Sequence, residues 1–407
     1  MADARASLPA VLAIDGGNSK TDVALVAADG SLLASVRGPG TNQEHHGVDG
    51  AMRILGEIVA EAAAKAGVTS EGLVARHISS CLAGADLPEE EEQLAAALRR
   101  RGWSLTSAVA NDTFAVLRAG LTPSPGQPAW GVAVTCGAGI NCAGLAPDGR
   151  TTRFLALGRL TGDWGGGWYL GQEVMWWAMR AEDGRGPDTL LRPATAAYFG
   201  LPTVRDVAIG VHLGRIARAE LLGLTTVLFE TASAGDTAAR DLLERLAEEV
   251  IAMAVTAMRR LGLTGPGALG TPVVLGGGLL AARHPLLTAA IERRLAAAAP
   301  GAVSRVTDIP PVTGAALLGL DYLGAAPDAE RRLRAATVTP LSRYRAKQPA
   351  RWSLTRPQAC IVAYAVTGPV KTKPCLRRSA DSAFEAGVCD GRSESVRGAG
   401  RSWSASA

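Results

Sequence analysis

AIDGGNSKTDVALVAADG, from Ala13 to Gly30, decides the fold. Two apolar runs, Val11 to Ile14 and Val23 to Val26, flank a glycine turn, and Asp29-Gly30 closes the second run with a hairpin signal. In such a turn Gly16 and Gly17 let the backbone approach a phosphate and offer it N–H groups. Asp15, at the strand end, can hold the water shell of a Mg²⁺ ion, while Asn18, Ser19 and Lys20 face the phosphate. A strand follows the turn where a Walker loop or a dinucleotide fingerprint requires a helix, so neither of those nucleotide sites fits.

Outward from this hairpin, SLLASVRG (Ser31 to Gly38) reads as a third strand. Met52, Leu55, Val59 and Ala63 recur at helical spacing, a strand is expected near His77 to Leu82, and a helix opens on acidic residues from Glu89. SAVAND ends a further strand at Asn111-Asp112. The order then restarts: GVAVTCGAGINCAGLAPDG (Gly131 to Gly149) is again strand, glycine turn, strand and Asp-Gly turn, which predicts two related domains on one plan. Residues 170–268 read as largely helical. PVVLGGG (Pro272 to Gly278) reads as a strand, and PPVTGAALLGL (Pro310 to Leu320) as a helix after a proline stop.

Taken together these segments resemble the sugar kinase/actin/heat-shock ATPase superfamily. The nearer resemblance is to its N-acetylglucosamine kinase branch, beside the activator ATPases of the BadF/BadG/BcrA/BcrD family. The two glycine hairpins match the phosphate loops, PVVLGGGLL (Pro272 to Leu280) the adenosine-binding strand and turn, and the segments after Ser107 and Pro310 the two hinge helices. The resemblance covers roughly residues 10–322. It implies an α/β protein of two ribonuclease H-like, actin-like ATPase domains with a hinge and an interdomain active-site cleft. Residues 1–118 with a return helix at about 310–325 form one domain, and residues 119–309 with helical insertions the other. ATP and Mg²⁺ are the implied cofactors, an amino sugar the substrate, and the oligomeric state stays open, a homodimer included.

The resemblance also distributes roles. Asp112 takes the place of the general base, since the attacking sugar hydroxyl must lose a proton and a carboxylate at a strand end can accept it. Asn42, Asn111, Asn141 and Asp163 fall at sugar-contacting positions. Gly137, Ala138 and Gly139 hold phosphate beside Gly16 to Lys20, Gly276 to Gly278 receive the adenosine, and Asp15 serves the metal. Three departures bear on the substrate. Ala138 and Ile140 stand where hydroxyl residues are common, Trp164 replaces an acidic residue after Asp163, and Glu44-His45-His46 replace an aromatic residue. Ala138 and Ile140 donate no hydrogen bond to an acetamide, and the Glu44 carboxylate can pair with an ammonium group. These features favour free glucosamine, with N-acetylglucosamine as the alternative.

Composition narrows the classes further. At 407 residues the chain can bury two cores. No apolar run is long enough to span a membrane and the N-terminus does not read as a signal peptide, so a cytoplasmic protein with no membrane or nucleic-acid partner is expected. The formal charge is +4, but residues 338–407 alone carry 12 Arg and Lys against 4 Asp and Glu, so the body is acidic. That segment has no periodicity and reads as a disordered or non-native tail. The six cysteines show neither CxxC nor zinc spacing, which counts against a dehydratase-activase with a bridging iron–sulfur cluster. No helix-turn-helix pattern supports a sugar-binding repressor.

Overall fold

The computed structural model describes residues 8–122, 129–265 and 270–345, with side chains as far as residue 337. Its first sheet contains β1 (Val11–Gly16), β2 (Lys20–Val26), β3 (Leu32–Pro39), β4 (Ala75–Leu82) and β5 (Ser104–Asn111), ordered β3-β2-β1-β4-β5. β1, β2 and β3 pair antiparallel, whereas β4 and β5 add in parallel to β1. The second sheet contains β6 (Gly131–Cys136), β7 (Ile140–Leu145), β8 (Thr151–Arg153), β9 (Thr271–Gly276) and β10 (Ala302–Val306). Its order, β8-β7-β6-β9-β10, repeats the first sheet strand for strand, with the same antiparallel and parallel pairings. The fold is thus a ribonuclease H-like sheet used twice, as in actin-like ATPases.

Period-two alternation sorts the central strands between two layers. Leu12 and Ile14 of β1 face a core with α1 (Gln43–Ala66) and α2 (Pro88–Arg101), while Val11 and Ala13 face α11 (Pro311–Tyr322). In β6, Val132 and Val134 join the larger core with α8 (Thr237–Arg260), while Ala133 faces α3 (Asp112–Gly120). Between β8 and β9 the chain is helical: α4 (Gly166–Glu182), α5 (Leu191–Phe199), α6 (Val204–His212), α7 (Leu224–Ser233) and α8. A short α9 (Gly278–Ala281) and α10 (Pro285–Ala298) follow β9.

α3 and α11 join the two sheets. Ala115 of α3 packs with β1 and α11, whereas Val116 and Leu117 pack with Ala133 and Val274 of the second sheet. A last helix, α12 (Pro327–Arg345), buries Ala329 and Leu333 in the cluster around β1 and α11. Arg118, 4% exposed, fastens it there: its guanidinium donates to both Asp321 and Glu330, and Glu330 also pairs with Arg334 at 2.7 Å. The structured chain therefore runs past Thr337 to Arg345, and the expected tail beyond lies outside the described residues. No described helix is long and apolar enough to cross a membrane.

Candidate active site

The parallel strands β1, β4 and β5 end at one level, with Gly16 opposite Leu82 and Leu82 opposite Asn111. Brought to that edge are Asp15, the loop from Ala83 to Leu87, and Asp112. Asn111 is the N-cap of α3: its Oδ1 accepts from the Thr113 N–H at 2.9 Å. That leaves Asp112 as the first helical residue, with the cap position taken by its neighbour.

Three carboxylates crowd here with no ion-pair partner within 4 Å among the described residues. Burial first, then the charges of Asp112 and Asp22, raises Asp15 to about 8. Burial, then Asp112, Glu90 and Glu44, raises Asp86 to about 7. Burial raises Asp112 to about 6, opposed by the Thr113 N–H. Asp22, opposite Asp15 in the hairpin, is held by a two-point contact with Arg37 at 2.7 and 2.9 Å. Cys81 lies in register with Asp15, and burial, then Asp15 and Asp112, lifts its thiol well above the ordinary range. Carboxylates raised by burial and like charge at a strand edge are candidates for a functional site.

The polar residues around them are hydrogen-bonded in several short chains. Asn42 caps α1, its Oδ1 accepting from the Glu44 N–H at 2.9 Å, and its Nδ2 donates to Asn18 and to Glu44 at 3.2 Å. Gln43 Nε2 donates to Gly84 O at 2.6 Å. Asn111 Nδ2 donates to Asp86 Oδ1 at 2.7 Å, and Asn141 Nδ2, from the second sheet, donates to Asn111 Oδ1 at 3.2 Å. Arg153 of β8 crosses in the same direction, to Glu91 at 2.7 Å and Ala85 O at 3.0 Å. Asp86 and Arg153 carried no signal in the sequence beyond an ordinary helix start and strand end.

The expected glycines divide into two kinds. A side chain on Gly137, Gly139 or Gly278 would meet nothing within 4 Å, whereas on Gly17 it would come within 3.1 Å of Lys20 O. Gly16, Gly276 and Gly277 are instead required by packing. A Cβ there would fall 2.7 Å from Leu82, 2.4 Å from Val116 and 2.4 Å from Cys136 O, respectively. The second loop leans on α4, because the Gly167 and Trp168 N–H groups donate to Gly137 O and Ala138 O at 2.8 and 3.0 Å. Ser19 is exposed, and Lys20 approaches Asp22 at 4.0 Å.

Asp163 is 9% exposed and accepts from Thr161 Oγ1 at 2.6 Å, with Arg245 stacked 4.1 Å over the ring of the neighbouring Trp164. It makes no contact with the Asp112 network. Glu44, His45 and His46 belong to the first turn of α1 and are exposed, so the segment is helix, kinked at Gly47, and not loop. Ile140 is 6% exposed with its side chain in the core. Among the described residues no three His, Cys, Asp or Glu side chains form a metal cluster.

The chain is similar to several known proteins. An N-acetylmuramic acid/N-acetylglucosamine kinase from Clostridium acetobutylicum is 28% identical over 241 residues, 59% of this chain and 76% of that protein. An N-acetyl-D-glucosamine kinase from Dictyostelium discoideum is 25% identical over 317 residues, 76% of this chain and 97% of that one. Among solved structures, a Chromobacterium violaceum protein provisionally assigned as an N-acetylglucosamine kinase superposes with a TM-score of 0.60 at 24% identity, over 77% of this chain and 99% of its own. The sequence pattern of the BadF/BadG/BcrA/BcrD ATPase family matches residues 12–319. With that match over most of its length, the chain belongs to the BadF/BadG/BcrA/BcrD ATPase family.

Proposed function

We propose that this protein transfers the γ-phosphoryl group of ATP to the 6-hydroxyl of an amino sugar, N-acetylglucosamine. The observation that carries the reading is Asp112, a carboxylate at the end of β5 whose neighbour Asn111 takes the cap position, beside Asp15, with open space at Gly137, Gly139 and Gly278. Asp112 takes the hydroxyl proton as the new O–P bond forms, and ADP leaves with the old one. Gly17 and the open turn at Gly137 and Gly139 cradle the phosphates, and Gly278 faces the adenosine.

The residues present fit a magnesium ion. Burial and like charges raise the Asp15 carboxyl to about 8, a shift that a nearby dication reverses. One carboxylate, water and phosphate oxygens are a common Mg²⁺ set, and the bound ion would neutralise charge on the transferred group. Residues 1–118 with α11, and residues 119–309, act as two lobes that close over the substrates and exclude water.

The acetylated sugar replaces free glucosamine as the first choice on three grounds. Both curated relatives are named for N-acetylated sugars. Ile140 faces the core, so its lack of a donor says nothing about an acetamide. Glu44 is exposed, so it lacks the desolvation that would make an ammonium pair discriminating. The buried, separated thiols of Cys81, Cys136 and Cys142 give no support to an iron–sulfur activator. ADP release measured with N-acetylglucosamine, glucosamine, glucose and mannose tests the reading. The highest kcat/KM is expected for N-acetylglucosamine, and a preference for glucosamine would reinstate the alternative.

A further inference from the structure

Resting on that reading, we propose that Asp86 is a positioning residue for the phosphoryl transfer, setting the orientation of Asn111 and, through it, of the base Asp112 against the second phosphate loop. Asp86 is itself rigidly placed. Its own N–H and that of Leu87 donate to Glu90 Oε2 at 2.9 Å each, and the carbonyl of Ala85 receives Arg153 from the other sheet. Its Oδ1 then accepts from Asn111 Nδ2 at 2.7 Å.

Asn111 is 2% exposed, and its amide has a single satisfactory orientation. Its Oδ1 must face the Thr113 N–H and Asn141 Nδ2, both donors, and its Nδ2 must face an acceptor. Asp86 supplies that acceptor. A flipped amide would set donor against donor at the helix start and oxygen against carboxylate at Asp86. Asn141 is likewise fixed, because its Oδ1 accepts from the Cys142 N–H at 2.7 Å. The chain Asp86–Asn111–Asn141 therefore runs from β4's exit loop through the cap next to Asp112 to the start of β7. Asn141 stands two residues after Gly139. Base and phosphate loop are thereby registered to each other by directional bonds across the two sheets.

The role needs an acceptor at position 86, not a charge, and that separates it from alternatives. Asp86→Asn keeps a carbonyl oxygen for Asn111 Nδ2, whereas Asp86→Ala leaves a buried N–H unpaired. In sugar-dependent ADP release, Asp86→Ala is expected to lower kcat about 10- to 100-fold with KM for ATP within about threefold. Asp86→Asn should recover kcat to within about threefold of the parent. Exchange of the Asn111 and Asn141 side-chain amide protons, read by NMR, should be slow in the parent and in Asp86→Asn and fast in Asp86→Ala. Equal damage in Asp86→Asn and Asp86→Ala would overturn the proposal in favour of a charge or proton role. Parent-like kcat in Asp86→Ala would overturn it as well, as would slow amide exchange there. A parent without turnover on any sugar would sink the proposed function instead, and the exchange measurement would still decide whether Asp86 fixes the amides.

Discussion

Adding one methyl group at Gly314 should separate stability from catalysis in an unusual way. Gly314 lies on α11 where it crosses α3, and a Cβ built there falls 1.9 Å from Ala115 O and 2.8 Å from Ala119 N. An ordinary C···O approach is about 3.3 Å, so Gly314→Ala requires the two helices to part by about 1.4 Å. Neither can yield freely: α3 is pinned by Arg118 to Asp321 and Glu330, and α11 packs on Val11 and Ala13 of β1. Overpacking of this kind costs about 1–3 kcal/mol, a fall of a few degrees in Tm. The displacement also reaches the reacting centre, because Asp112 begins the helix whose Ala115 is struck. A shift of about 1 Å in a base costs about 100-fold in rate. Thermal melts and steady-state ADP release on the same sample give both quantities. A Gly314→Ala protein with parent-like kcat and Tm would refute the idea that this crossing holds the base.

Asp112→Asn should leave the melting temperature close to the parent's and cut turnover about 10²–10⁴-fold, since it removes the proton acceptor but no cap; kcat within threefold of the parent would exclude the base role. In the parent, kcat should decline as pH drops through about 6, where Asp112 becomes protonated, and a flat profile from pH 5 to 8 would contradict the assignment. Asp15 is raised to about 8 in the folded protein, so the folded state keeps a proton that the unfolded carboxyl has already lost above about pH 4. Its contribution to stability therefore falls as pH climbs from about 4 to about 8; Asp15→Asn and saturating Mg²⁺ with ATP should each flatten that slope in thermal melts, and an unchanged slope would argue that Asp15 is ionised throughout. Ending the chain after Thr337 keeps Ala329, Glu330, Leu333 and Arg334 and should change Tm and activity little, whereas ending it after Gly324 leaves buried Arg118 with Asp321 alone, removes Glu330 and the buried Ala329 and Leu333, and should destabilise by several degrees.

What could be read from the sequence follows from how local each signal is. The twin hairpins were legible because alternation and glycine turns are properties of a few consecutive residues, and their repetition predicted the twin sheets. The strand end at Asn111-Asp112 was legible in SAVAND, whereas the base role of Asp112 came from the family resemblance, and which of the two residues caps the helix only the structure supplies. Asp86 was not, because Asp86-Leu87-Pro88 before Glu89 looks like any helix start and its partner is 25 residues away. That packing also demands glycine at Gly16, Gly276 and Gly277 was not legible, because the demand comes from Leu82, Val116 and Cys136, neighbours that only the tertiary structure supplies. α12 was missed for a related reason. Its surface is mostly charged, with Ala329 and Leu333 its buried apolar contacts, and the residue that retains it is an arginine on another helix.

The register that sets Cys81 beside Asp15 gives this enzyme a silent internal clock. A thiol walled in and faced by carboxylates forms almost no thiolate, so alkylating reagents cannot modify it at any useful speed in the folded protein. Labelling at Cys81 then counts the moments when the strand edge parts from its surroundings. Nucleotide, sugar and metal can each be scored by how far they slow that count, with no chromophore added and no residue of the site replaced.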